Sequence, residues 1–86
     1  MVNKSKQNAQ SQLERATAIL IDLRPDITSE DRDEAMKKLD LSEPTLSRYL
    51  NGEAKKIGTA LNLIEFFQKR ISDREKKLDA IEPTRA

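Results

Sequence analysis

Between Ile57 and Ile81 the apolar side chains keep a seven-residue step. Ile57, Ile64, Ile71 and Leu78 form one row, and Ala60, Phe67, Arg74 and Ile81 fall three residues after each. A strand cannot use that spacing, because its side chains alternate faces at every residue. The pattern is an a/d heptad and predicts one long helix from about Ile57 or Thr59 to near Ile81, with its seam interrupted at Arg74. Leu61, Leu63 and Phe66 widen the apolar face in the first half only. That half is expected to pack on other helices. The second half, SDREKKLDAI, keeps a narrow seam that a monomer would not cover.

A chain of 86 residues has room for one small domain beside such a helix. Apolar and charged residues each make up 36%, and glycine and proline are scarce. There are no β-branched or aromatic runs, so the fold class is all-α: a small bundle of about four helices. A first helix is expected from about Ser11 to Leu23, with Leu13, Ala16, Leu20 and Leu23 as its stripe. Ile19 and Ile21 widen the stripe, so this helix should be well covered. Pro25 ends it, because a residue before proline is pushed out of the α region.

A second helix starts at TSED, with Thr28 and Asp31 in a capping box. Glu30, Asp31, Asp33 and Glu34 crowd the end that the helix dipole makes favourable for acids, and Lys37 and Lys38 crowd the other. Ala35, Met36 and Leu39 should face inward, and the helix should end at Leu39 or Asp40. The third helix follows a very short turn. Ser42 is its N-cap and Pro44 lies in its first turn. Leu46, Tyr49 and Leu50 make its buried stripe, and Asn51-Gly52 stops it, with Gly52 free to turn left-handed. The expected organisation is a loose arm over 1–10, a helical domain over 11–70 and a helical extension over 71–86.

Several function classes are disfavoured. No run of about 18 apolar residues exists to span a membrane, and the polar start MVNKSKQNAQSQ is not a secretion signal, so a cytoplasmic location is expected. The chain has no histidine or cysteine and no phosphate-cradling glycine loop. An enzyme, a metal site, a cofactor and a small-molecule substrate are therefore not expected. The net charge is +1, tilted slightly toward the second half. Residues 1–41 carry seven basic and eight acidic side chains, and residues 42–86 carry nine and seven.

The stretch LDLSEPTLSRYLNG, Leu39 to Gly52, holds the most specific pattern in the chain. Together with the helix before it, it resembles the helix-turn-helix of bacterial and phage repressors, including the lambda-repressor/Cro-like and LacI-like families. Leu41, Ser42, Thr45, Leu46, Ser47, Arg48, Leu50, Asn51 and Gly52 fit that pattern, and the likeness spans Ser29 to Gly52. Asp40 stands where a turn glycine is usual, and Met36 where a small alanine is usual. Aspartate tolerates left-handed backbone better than most residues, so the turn is expected to survive.

The resemblance implies a sequence-specific regulator of double-stranded DNA, of the phage or mobile-element repressor type, with the third helix in the major groove. It assigns base-edge contacts to Glu43, Pro44 and Arg48, and Thr45 is expected to join them at a thymine methyl or to meet a phosphate. Arg48 is the foremost, because arginine pairs bidentately with guanine. Backbone contacts fall to Ser42, Ser47, Asn51, Lys55 and Lys56. Arg48 has an alternative as a surface partner of Glu43 or Glu53, and the two lysines as solvated charges. The acids at the start of the second helix would repel phosphate if they faced it.

Pairing of subunits is expected along the heptad, through Ile64, Phe67, Ile71, Arg74, Leu78 and Ile81, giving a homodimer or higher homo-oligomer. Arg74 at a d position would help fix register or partner choice. The alternative is that the seam folds back on the first helix of its own chain. A rival function remains: a helical protein-interaction module, adaptor or antitoxin-like, using the heptad helix without DNA. A basic stripe centred on Arg48, Lys55 and Lys56 favours DNA, and an acidic or neutral face there favours the rival.

Overall fold

In the computed structural model, which describes residues 9–81, the chain forms four α-helices joined by short connections. They are α1 (Ala9–Leu23), α2 (Ser29–Leu39), α3 (Glu43–Leu50) and α4 (Ile57–Ile81), with a single 3₁₀ turn over Arg24–Asp26. No strand occurs among the described residues. The all-α bundle with a long C-terminal helix is therefore as the apolar spacing implies. The first residues of the expected arm, with Lys4 and Lys6, and the last five residues lie outside the described part.

The local signals set the helix ends. The Thr28 hydroxyl accepts the Asp31 N–H (3.1 Å), and the Asp31 carboxylate accepts the Thr28 N–H (3.0 Å), closing the capping box. Asp40 adopts the left-handed conformation at φ 55° and ψ 54°, and the Leu41 N–H then closes back on the Met36 carbonyl at 3.0 Å. The turn thus holds without its usual glycine. Ser42 caps α3 by accepting the Thr45 N–H (3.4 Å). At the other end Gly52 takes φ 94°, and the Glu53 N–H reaches the Arg48 carbonyl at 2.8 Å. α1 begins at Ala9, earlier than the expected Ser11. Pro25 ends the α-helix but does not extend the chain: it sits in the 3₁₀ turn, whose first positions tolerate a missing N–H.

The core lies where the first half of α4 meets the other three helices. It contains Ala16 and Leu20 of α1, Ala35 of α2, Leu46, Tyr49 and Leu50 of α3, and Ala60, Leu63, Ile64 and Phe67 of α4. Burying a large apolar side chain of this kind contributes about 1.5–3 kcal/mol. Ile64 and Phe67 were expected on a seam between subunits; they are instead 6% and 0% exposed in the core of their own chain. The heptad tells which face is apolar, and here α1, α2 and α3 cover its first half.

The cover expected for α1 is incomplete. Ile19 and Ile21 are 41% and 45% exposed, because α1 buries one narrow face, Ala16 and Leu20, against its neighbours. Along α4, Ile71 is half-buried, and every residue from Glu75 to Ile81 is exposed.

Candidate nucleic-acid interface

The eight residues of α3 divide cleanly by face. Leu46, Tyr49 and Leu50 are buried, Thr45 and Ser47 are half-buried, and Glu43, Pro44 and Arg48 are exposed. Tyr49 anchors the inner side and helps place the loop that follows. The residue is 5% exposed, and its hydroxyl oxygen accepts the Lys56 N–H at 3.0 Å. That bond brings the 51–56 loop back along α3. As a result Thr45, Arg48, Lys55 and Lys56 line one cleft of about 240 Å³, with Leu41, Tyr49, Glu53 and Thr59. Three cations against one carboxylate give the cleft a basic bias.

The other expected contacts are placed less uniformly. Ser42 is exposed at the helix start, and its hydroxyl donates to the Thr45 Oγ1 at 2.9 Å. Asn51 is exposed, and its backbone N–H is spent on the Ser47 and Arg48 carbonyls. Ser47 turns toward α2, where its hydroxyl accepts an N–H of Arg32 at 3.1 Å. Glu43 lies apart from the basic cleft. It shares a shallow depression with Ser29, Arg32, Asp33 and Met36. Beside it, Glu30, Asp33 and Glu34 line a second depression with Met36 and Lys37. The face is therefore polarised, acidic along the start of α2 and basic from Arg48 to Lys56. Met36 is half-buried on that acidic edge, and Ala35 is the small residue that packs fully inside.

What holds α2 in place escaped the sequence reading. Asp31 is 1% exposed and ionised among cations. It accepts Arg70 Nε at 2.6 Å, and Arg74 Nη1 at 3.0 Å from both carboxylate oxygens. Arg74 also donates through Nη2 to the Asp26 carbonyl at 2.8 Å. Burial pushes the Asp31 carboxyl up. The bonds from Arg70, the Thr28 N–H and Arg74 outweigh burial and hold it down at about 2. The same contact raises Arg70 above its ordinary value, although burial opposes this. The Arg70 guanidinium also lies 5.7 Å from the Phe66 ring centre, a cation–π distance.

Arg74 is thus engaged within its own chain, where the heptad had placed it on a seam between subunits. Its guanidinium finds in Asp31 a buried carboxylate that two arginines and a capped helix start can satisfy together. Leu78 and Ile81 keep the exposure that the seam requires, at 48% and 72%. No helix of the described residues is long and apolar enough to cross a membrane. Comparison of the chain with family models, curated proteins and solved structures gives no match.

Proposed function

We propose that the chain is a sequence-specific, double-stranded-DNA-binding regulator of transcription, of the repressor type, acting as a homodimer without a cofactor or catalysis. The observation that carries the reading is the convergence of Thr45, Arg48, Lys55 and Lys56 on one cleft beside the exposed face of α3. An α-helix is about 10–12 Å across with its side chains, a cross-section that the major groove admits. In that groove Arg48 pairs with guanine, Thr45 meets a base edge or a thymine methyl, and Pro44 offers an apolar contact. Glu43 accepts from cytosine or rejects other bases. Lys55, Lys56, Asn51 and Ser42 hold phosphates on the flanks. Ser47 supports the helix through Arg32. In this reading the duplex is engaged from the Arg48–Lys56 end, with Glu43 and the acidic start of α2 at the far margin of the contact.

One small helix buries too little DNA surface for tight binding, and two half-sites add affinity and specificity together. Leu78 and Ile81 at the free end of α4, with Ile71, supply the pairing surface in this reading. Selection from a randomised duplex pool, at two salt concentrations, tests it. The wild type should enrich a two-fold symmetric site and lose affinity steeply with salt, and Arg48→Ala should relax one position of that site. The polarised face supports a second reading, a helical protein-interaction module of adaptor or antitoxin-like type that presents the acidic α2 edge and the Leu78–Ile81 end to a protein. Weak, unselective binding by both wild type and variant would favour it.

A further inference from the structure

Two half-sites are read together only if both α3 helices keep a fixed separation and rotation. One base pair shifts a half-site by about 3.4 Å and turns it by about 34°. In this fold α3 packs on α1 and on α2, and both of these pack on α4, α1 the more extensively. The orientation of α3 relative to α4 is therefore passed through both helices. The polar part of that link runs through two consecutive residues of α2. Arg32 donates to Ser47 of α3, and Asp31 accepts from Arg70 and Arg74 of α4. The apolar hold on α2 is light, since Ala35 is its one fully buried apolar side chain and Met36 and Leu39 are half-buried. Forked, charge-assisted bonds add the missing geometric constraint.

Arg70 sits over Phe66 near the core. Arg74 lies one turn farther out and grips two points, the Asp31 carboxylate in the first turn of α2 and the Asp26 carbonyl in the 3₁₀ turn before it. We infer that Asp31 and Arg74 are a positioning pair that sets the angle of the α2–α3 unit against α4, and so the half-site spacing that a dimer of this chain accepts. The inference rests on the DNA reading above and adds a determinant of spacing to it. Neither side chain touches DNA in this arrangement. Asp31 is buried, and Arg74 is bonded to α2.

The test offers full-length wild type, Arg74→Ala, Arg74→Lys and Asp31→Asn a duplex library in which the half-sites are fixed and their separation varies. The fixed half-site is the sequence that the wild type enriches from a random pool. The wild type should select one separation and disfavour its neighbours about tenfold, the scale of a mismatched base pair. Asp31→Asn keeps an acceptor for the Thr28 N–H and leaves α4 untouched. Arg74→Lys keeps the charge but not the fork. All three variants should bind the same half-site sequence while losing most of the preference for one separation. A merely structural role would lower the unfolding temperature and leave that preference unchanged, which overturns the inference. Broadening in the Arg74 variants alone would place Arg74 at the subunit seam and overturn it too. If the wild type enriches no sequence at all, the DNA reading fails and takes the inference with it.

Discussion

Asp31 shows how one side chain can serve two structures at once. One oxygen completes the cap of α2, and the carboxylate as a whole ties that helix to residues 39 and 43 positions away. The folded pKa of about 2 lies below the ordinary 3.8, so the sign of the pH effect follows. The contribution to stability is complete above about pH 4 and is lost as pH falls through 2. Its size is about 2 kcal/mol. Urea unfolding of wild type and Asp31→Asn should therefore differ most at pH 5 and converge near pH 2; a constant difference across that range would contradict the ionised cluster. Gly52 gives a second single-residue case. An added Cβ would meet Ile21 Cδ1 at an ordinary 3.5 Å, so space is not the obstacle, but φ 94° is. Gly52→Ala should cost about 1–2 kcal/mol in denaturant unfolding through backbone strain alone.

Helix boundaries were legible because their signals are local. Thr28 with Asp31, Ser42 with Thr45, and Gly52 act within a turn of the ends they set, and each does what its position implies. Ser42→Ala should accordingly destabilise α3 by about 1 kcal/mol, read as a shift in the urea midpoint. The cleft was legible only in part. Arg48, Lys55 and Lys56 are near neighbours in sequence, and the Tyr49–Lys56 bond that gathers them spans seven residues. Glu43, also close in sequence, points to the acidic edge, which α2 supplies from outside the stretch. What stayed hidden is which helix covers which apolar face. Periodicity gives Ile64, Phe67 and Arg74 one face of α4, but their covering partners lie on α1, α2 and α3. The Asp31–Arg74 pairing joins two residues that each had a sufficient local explanation, a cap and a heptad position.

For the molecule as a whole, a small core carries a helix that outruns it. The inner half of α4 is covered by α1, α2 and α3 except at Leu61, which was expected to pack and is 48% exposed, while the stretch beyond Arg74 rests on nothing else in the described chain. In the proposed dimer that outer stretch pairs the subunits, and two α3 faces point to successive major grooves. Leu78→Asp with Ile81→Asp should then shift the protein from dimer to monomer in sedimentation equilibrium and weaken operator binding, with the core fold retained in the circular dichroism. An unchanged mass would remove α4 from the pairing surface. The proposal that α3 meets DNA is best settled by backbone amide NMR on the 9.8 kDa chain during titration with a short mixed-sequence duplex at low salt. Shifts gathered over residues 43–51 and at Lys55 and Lys56, leaving the outer half of α4 quiet, are the expected result. Shifts confined to the Leu78–Ile81 end or to the acidic edge of α2, or none at all, would contradict it.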